Sequence, residues 1–263
     1  MPCPPPRPLT RWLAGLSDRL ARGVLAARAA RPSLPALRSL PAVSAVCAIC
    51  AAWPARTFCD DCVRRFAQPV PRCRRCALAV PAGVTVCGTC LTDPPPLDAC
   101  LAAVDYGYPW DRSIAALKFR GEAGLARALA LLLRSTPWVE PALETADLVL
   151  PLPLSAPRLR ERGFNQAVLL ARHLAPGRAD TATLLRIRDT PALSGMGRDG
   201  RRSAVRGAFA VEPARARSLR GRRILLVDDV MTSGATMHEA ARTLRRAGAA
   251  SVSALVLART ERS

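Results

Sequence analysis

Short apolar runs alternate with segments of helical periodicity through residues 97–263. Turn-forming residues bound the apolar runs, which is typical of strands, and the segments between them predict helices. Strands that alternate with helices predict an α/β fold with a mainly parallel sheet flanked by helices. The predicted strands cover residues 101–108, 148–150, 183–187, 208–211, 223–227 and 251–257, and the predicted helices cover residues 110–120, 123–133 and 158–175.

The predicted strand 223–227 is followed by two adjacent acids, a small-residue turn and a further helix. The carboxyl end of such a strand faces a ligand crevice, and the N–H groups that open a helix bind phosphate. Carboxylates suit sugar hydroxyls or a phosphate-bridging Mg²⁺. A phosphorylated ribose satisfies both halves, although an ordinary strand–loop–helix with solvated acids uses the same residue types. The residues are Asp228 and Asp229 in the acidic pair, and Thr232, Ser233, Gly234, Ala235 and Thr236 in the turn.

This run resembles the phosphoribosyl pyrophosphate (PRPP) signature of type I phosphoribosyltransferases. The resemblance implies that Asp228 and Asp229 hold the ribose 2′- and 3′-hydroxyls of PRPP. It also implies that the turn 232–236 cradles the 5′-phosphate, with Mg²⁺ bound alongside PRPP.

A second turn, rich in proline, follows the predicted strand 148–150. Its exposed N–H groups make it a candidate receptor for pyrophosphate, with Ser155 and Arg158 as further PRPP-binding residues. A plain surface connection has the same composition.

Residues 188–206 are rich in Gly and Arg and weakly periodic, which predicts a mobile loop. In an enzyme that uses PRPP, such a loop closes over the site and excludes water. The candidate catalytic residues are the acidic pair and three arginines that would clamp pyrophosphate. Those arginines are Arg198, Arg201 and Arg202.

Eight of the ten cysteines form four Cys-x-x-Cys pairs. Two such pairs complete a tetrahedral shell, so four pairs predict two structural Zn²⁺ sites, whereas a secreted chain could use them as disulfides. Sequential pairing gives a double zinc ribbon over residues 47–92, and an interleaved arrangement uses the same ligands. The ligands are Cys47, Cys50, Cys59, Cys62, Cys73, Cys76, Cys87 and Cys90.

Basic and aromatic residues lie among these cysteines. Arginines with stacking faces suit single-stranded DNA, whereas a structural knuckle that docks on the larger domain needs neither. The residues are Arg64, Arg65, Arg72, Arg74 and Arg75, with Phe58 and Phe66 as the stacking faces.

The formal charge is +19, with 39 Lys and Arg residues, of which Lys118 is the only lysine. Arginine suits bidentate phosphate contacts, so phosphorylated ligands or nucleic acid are the favoured partners. No apolar run is long enough to predict a membrane span. The composition of residues 1–46 predicts a disordered or poorly specified Arg/Pro-rich extension. Cysteines that stay reduced in order to bind zinc indicate that the protein resides in the cytoplasm.

The order of motifs is similar to that of the ComF family. The four Cys-x-x-Cys pairs precede Leu117-Lys118-Phe119, the block Arg-Glu-Arg-Gly-Phe-Asn-Gln at 160–166 and the PRPP signature. The resemblance implies a zinc module fused to a phosphoribosyltransferase-like domain at 97–263, with a role in DNA uptake and a protein partner in the competence machinery. The chain departs from the family pattern in the mobile loop, at Leu193, Gly197, Gly200 and Ala204.

Two functions therefore compete. One is Mg²⁺-dependent displacement of pyrophosphate from PRPP by an unknown acceptor, for which Tyr106, Tyr108 and Trp110 are candidate stacking faces. The other is a non-catalytic DNA-uptake factor that binds single strands through the ribbon and PRPP as a regulatory ligand.

Overall fold

Four parallel strands form the sheet, in the order β1, β6, β5, β2. The computed structural model describes residues 45–190 and 197–261. The predicted extension 1–46 lies almost entirely outside this range, as does Leu193. The mainly parallel α/β fold is confirmed. The strands are β1 Cys100–Asp105, β2 Leu148–Pro151, β5 Arg223–Met231 and β6 Ser251–Arg259.

The other two predicted strands do not join this sheet. β3 Leu184–Arg186 and β4 Phe209–Val211 form a separate two-stranded antiparallel sheet. Each is only three residues long. An apolar run predicts a strand but not the strand with which it pairs. The sequence pattern therefore does not show that β3 and β4 form a sheet of their own.

Two stretches differ from the predicted helices and loops. The predicted helix 158–175 is broken at Gly163, whose φ of 75° ends the first half, and Asn165 caps the second by accepting from the Ala167 N–H at 2.9 Å. The predicted loop 188–206 contains a helix in its second half. The helices are α1 Asp60–Phe66, α2 Gly88–Thr92, α3 Trp110–Phe119, α4 Leu125–Arg134, α5 Val139–Thr145, α6 Ala156–Arg162, α7 Gln166–Leu174, α8 Arg198–Val205 and α9 Ala235–Arg246, with a 3-10 turn at Pro213–Leu219. None of the described helices is long and apolar enough to cross a bilayer.

Alternate residues of β5 enter two separate cores, because successive side chains of a strand point to opposite faces. On the first face, Leu225 and Val227 join residues of α3, α4 and α7. On the second face, Ile224 and Leu226 join residues of α9. The sheet is therefore covered on both sides, as a parallel sheet requires.

The cysteine-rich segment divides between these two cores. Phe58 belongs to the core of the first face. Cys73, Cys76 and Cys90 belong to the core of the second face. The predicted boundary between residues 92 and 97 stays a prediction, and the packing is continuous across it.

Candidate functional site

The turn between β5 and α9 can hold an anion. Gly234 has a φ of 80°, and a Cβ there would lie 2.7 Å from Met231 Cε and 2.8 Å from His238 Nε2. The positive φ favours glycine, and any side chain at this position would force Met231 and His238 to shift. The first N–H groups of α9 have no acceptor within the helix, and no acid lies in its first turn. These N–H groups and the positive end of the helix dipole favour phosphate at residues 232–236.

Asp228 lies beside this turn. β5 continues to Met231, so both acids lie inside the strand. The sequence pattern predicts instead that the strand ends at residue 227 and that the acids follow it. Asp228 and residues 232–236 line one small cavity. The Asp228 carboxylate accepts a hydrogen bond from the Asp229 backbone N–H at 2.9 Å. Burial, and then the negative charge of Asp229, raise the pKa of Asp228 to about 7.

Asp229 has a different environment. Its Oδ1 lies 2.9 Å from Lys118 Nζ, and the two side chains are 8% and 18% exposed. Lys118 comes from the end of α3, on the first face. The sequence analysis assigned both acids to ribose and did not foresee this ion pair. The available signals were that Lys118 is the single lysine of an arginine-rich chain and that it lies in the motif Leu117-Lys118-Phe119.

Two arginines lie near the acidic pair, since Arg186 is within electrostatic reach of both Asp228 and Arg158. Arg158 Nη2 donates to the Thr190 carbonyl at 3.5 Å, and Arg186 Nη2 donates to Thr190 Oγ1. Burial and the charge of Arg158 lower the pKa of Arg186, while Asp189 and Asp228 act in the other direction. Two neighbouring arginines at the carboxyl end of the sheet suit a polyanion such as pyrophosphate.

Ser155 is buried near these arginines, at the N-cap position that precedes α6. Its Oγ has no hydrogen bond of normal length, but it is close enough to Asp189 to lower the pKa of that carboxyl. The structure thus brings Ser155 and Arg158 together with Arg186, which the sequence analysis missed. Arg186 falls within the predicted strand 183–187, where nothing distinguished it from a surface arginine.

The three predicted clamp arginines lie on α8. Arg201 and Arg202 line a cavity of about 410 Å³ with Thr232 and Ser233. Arg202 also forms an ion pair with Asp93. The side chain of Arg198 lies outside the described atoms. Arg201 and Arg202 therefore lie near the phosphate turn, and the assignment of all three arginines as clamps stays a prediction.

The eight paired cysteines form two sequential tetrads, with the four Sγ atoms of each within 4.8 Å of one another. In the first, Cys47 and Cys62 Sγ are 3.9 Å apart, and Cys50 and Cys59 Sγ are 3.6 Å apart. A tetrahedral ion with bonds of about 2.3 Å requires about 3.8 Å between sulfurs. Burial raises the pKa of Cys47, but backbone N–H groups outweigh it and lower the pKa to about 6.

The second tetrad has the same geometry. Cys76 and Cys87 Sγ are 3.7 Å apart, and the Cys87 N–H donates to Cys73 Sγ at 3.3 Å. Burial opposes ionisation of Cys73, but backbone N–H groups lower its pKa to about 7. Both tetrads could hold metal ions, and the sulfur spacing and the N–H donors suit a thiolate-bound ion such as zinc.

Two of the proposed stacking faces, Phe58 and Trp110, are buried, whereas Tyr106 and Tyr108 are exposed. Phe58 is 6% exposed and contacts Trp110 edge-on at 5.3 Å between ring centroids. Phe66 is half-buried and packs against Tyr108. Trp110 is 2% exposed and donates from Nε1 to the Phe66 carbonyl at 2.8 Å. The predictions that Phe58 stacks on DNA and that Trp110 stacks on an acceptor are therefore wrong, because these two buried rings pack against each other. The prediction for the half-buried Phe66 stays a prediction.

Two of the proposed DNA-binding arginines are also internal. Arg72 lies 2.7 Å from Asp105 Oδ1, with its side chain 12% exposed. Arg75 donates to the Leu97 carbonyl at 2.7 Å. Arg64, Arg65 and Arg74 are exposed.

Comparisons with known proteins agree with this geometry. A family described as the phosphoribosyl transferase domain matches residues 161–263, which include the acidic pair, the turn and α8. The chain is 35% identical over 213 residues to the DNA utilization protein YhgH of Salmonella typhimurium, covering 77% of this chain and 90% of that protein. It is 30% identical over 210 residues to competence protein F of Haemophilus influenzae, covering 76% and 90%. It is 34% identical over 151 residues to competence protein ComFC of Bacillus subtilis, covering 56% and 59%.

The fold and the site thus define a phosphoribosyltransferase-type domain that carries two cysteine tetrads. Within that class, the chain belongs to the ComF family.

Proposed function

We propose that this protein binds PRPP with Mg²⁺ at the carboxyl ends of β2 and β5, and that it displaces pyrophosphate with an acceptor. The observation that carries the proposal is the shared cavity of Asp228 and the turn 232–236. A carboxylate beside an anion-binding turn suits the hydroxyls and the 5′-phosphate of one ribose.

Each residue has a distinct part in the proposed reaction. Asp228 accepts a hydrogen bond from a ribose hydroxyl and favours the positive charge that develops on the ring. Lys118 fixes the Asp229 carboxylate and limits its repulsion of Asp228. Arg158 and Arg186 stabilise the growing charge of the leaving pyrophosphate. Bound Mg²⁺ supplies further neutralisation of the pyrophosphate oxygens.

Calorimetry with PRPP and Mg²⁺ tests the pocket. We expect the wild type to bind and the variant Asp228→Asn/Asp229→Asn to lose at least about 100-fold in affinity, or about 2.7 kcal/mol. A matched control is Asp147→Asn, which removes an acid that pairs with Arg223 at the amino end of β5. Equal binding by the wild type and the double variant refutes the pocket. Release of pyrophosphate from PRPP with candidate acceptors then separates an enzyme from a binding protein.

We also propose that both tetrads hold Zn²⁺ as structural ions. Their support is the sulfur spacing and the backbone N–H donors to sulfur. Thiols kept reduced for metal binding suit the cytoplasm. Metal analysis of the purified protein should give about two zinc ions per chain.

A second candidate function is DNA uptake without catalysis, in which a competence-machinery protein is the partner. The relatives named for DNA utilization and competence favour it. The exposed residues left for single-stranded DNA are Arg64, Arg65 and Arg74, with Trp53 at 70% exposure as a stacking face.

The salt dependence of single-strand binding tests this candidate. Replacing Arg64, Arg65 and Arg74 by Ala should weaken binding and flatten the salt slope, because fewer phosphate contacts release fewer counterions. Trp53→Ala should weaken binding without changing the slope. An unchanged slope in the triple arginine variant contradicts DNA binding at this surface.

A further inference from the structure

Arg259 connects the second cysteine tetrad to the phosphate turn. It ends β6 and is 2% exposed. Its Nε donates to the Cys76 carbonyl at 2.8 Å, and its Nη1 donates to the Met231 carbonyl at 2.7 Å. Nη1 also donates to the Thr232 carbonyl. One buried guanidinium therefore holds a cysteine knuckle and the first residues of the turn at the same time.

Further contacts hold the same knuckle against the sheet. Cys100 Sγ lies 3.7 Å from Met231 Sδ, and the Cys100 N–H donates to the Arg74 carbonyl at 2.8 Å. Arg72 donates to the Ala77 carbonyl at 3.1 Å. Cys100 is thus packed between the turn and the knuckle.

The first tetrad is attached elsewhere. Its neighbours Phe58 and Phe66 contact Trp110, which begins α3 on the first face. Among the described residues, no hydrogen bond joins Cys47, Cys50, Cys59 or Cys62 to Met231 or to the turn 232–236. The two tetrads therefore differ in their connection to the candidate PRPP site.

We propose that metal bound at the second tetrad orders the phosphate turn through Arg259, so that PRPP binding depends on that metal and much less on the metal of the first tetrad. The inference rests on the proposed PRPP site. Arg259 is a positioning residue, because it holds the carbonyl side of the turn whose N–H groups face the ligand.

The physical cause is the entropy of ordering. With the ion bound, the Cys76 carbonyl has a fixed position, and charge-assisted hydrogen bonds transmit that position to the carbonyls of Met231 and Thr232. Without the ion, the knuckle loses its fixed shape, and the turn must be ordered when the ligand binds. That cost is subtracted from the affinity.

A matched pair of variants tests the coupling. Cys50→Ser and Cys87→Ser each alter one of the more accessible ligands of a tetrad, and metal analysis establishes the loss of about one ion in each. Hydrogen–deuterium exchange is then measured for peptides covering residues 231–236 and for α3. Cys87→Ser should speed exchange in the turn and weaken PRPP binding about tenfold. Cys50→Ser should speed exchange near α3 and leave exchange in the turn unchanged.

Two outcomes overturn the proposal: equal effects of the two variants on the turn, or an unchanged turn in Cys87→Ser protein that has lost its metal. The exchange comparison needs no PRPP, so it still tests the coupling if the wild type fails to bind PRPP. If the wild type does not bind PRPP, the proposed function is refuted, and the exchange comparison decides separately whether the second tetrad is coupled to the turn.

Arg259→Lys tests the connecting residue with both metals in place. A lysine ammonium reaches fewer carbonyls than a guanidinium, so we expect faster exchange in the turn and weaker PRPP binding with the zinc content unchanged. Arg259→Ala should show a larger effect of the same kind, so that lysine is a partial rescue. Unchanged exchange in Arg259→Lys contradicts the role of Arg259 even if Arg259→Ala does not fold.

Discussion

Each tetrad consists of four cysteines with nearly the same spacing in the sequence, yet the two tetrads lie on opposite faces of one sheet. The segment around the first packs against α3 through Phe58 and Trp110. Three cysteines of the second belong to the core beneath β5 and β6. The comparison teaches that a metal-binding motif does not define its own role. On the coupling proposed above, the elements that pack on each tetrad decide whether its metal orders α3 or the phosphate turn.

The largest expected effect comes from a buried ligand of the second tetrad. Cys73 is 0% exposed and Cys47 is 2% exposed, so both thiols are equally hidden. Cys73→Ser should lower the free energy of unfolding by about 5 kcal/mol, because it disturbs the core of the second face as well as the metal. Cys47→Ser should cost clearly less. Calorimetric unfolding of both variants measures the difference, and equal losses would remove the distinction between the tetrads.

The next effect concerns α3, on the side of the first tetrad. Lys118→Met leaves Asp229 as an unpaired buried charge and should cost about 3 kcal/mol of stability. Lys118→Met/Asp229→Asn should recover most of that loss. Urea unfolding of the single and double variants measures it, and a double variant as unstable as Lys118→Met would show that packing, not charge, is what Lys118 supplies.

A smaller effect is the pH dependence of Asp228. The pKa of Asp228 rises from 3.8 to about 7 in the folded protein, so the folded state binds more protons than the unfolded state between those values. Stability therefore falls as pH rises through this window, and the penalty is constant above it. Asp228→Asn should raise stability at pH 8 by about 1–2 kcal/mol and remove this slope. Thermal unfolding from pH 4 to pH 8 checks it.

PRPP binding should follow the opposite trend. The ionised Asp228 is the better acceptor for ribose hydroxyls, so affinity should rise as pH increases through about 7. Asp229→Asn should shift this rise to lower pH, because the repelling charge is gone. Calorimetry across the pH range detects the shift, and a rise that stays in place would exclude Asp229 as its cause.

The smallest effect separates the tetrads by a single hydrogen bond. Trp110→Phe removes the bond to the Phe66 carbonyl and should cost about 1 kcal/mol. Amide exchange should increase around the first tetrad and stay unchanged in the turn 231–236. Faster exchange in the turn would mean that both faces communicate with the ligand site.

Much of the candidate site could be predicted because its parts are adjacent in the chain. The acidic pair, the glycine of the turn and the start of α9 lie within one short segment, where strand, turn and helix signals coincide. The two tetrads could also be predicted from the sequence, because a Cys-x-x-Cys pair chelates a metal through local geometry. The left-handed φ of Gly234 favours glycine at that position.

The remaining features depend on contacts between distant residues. The pairing of Lys118 with Asp229, the bond from Arg259 to Cys76 and the burial of Phe58 against Trp110 all join segments that the chain separates widely. Periodicity shows that a side chain is apolar or charged but not what covers it. For that reason Phe58 was read as an exposed ring, and Arg186 was not distinguished from the many surface arginines.

The single lysine of the chain gives the site a built-in reporter. Its amine lies 2.9 Å from Asp229 Oδ1, and no other side chain carries a primary amine. An amine-selective reagent therefore labels one internal position, apart from the chain's α-amino group. If PRPP binds beside Asp229 as proposed, we expect the rate of that labelling to fall as PRPP is added, while the arginines give no signal.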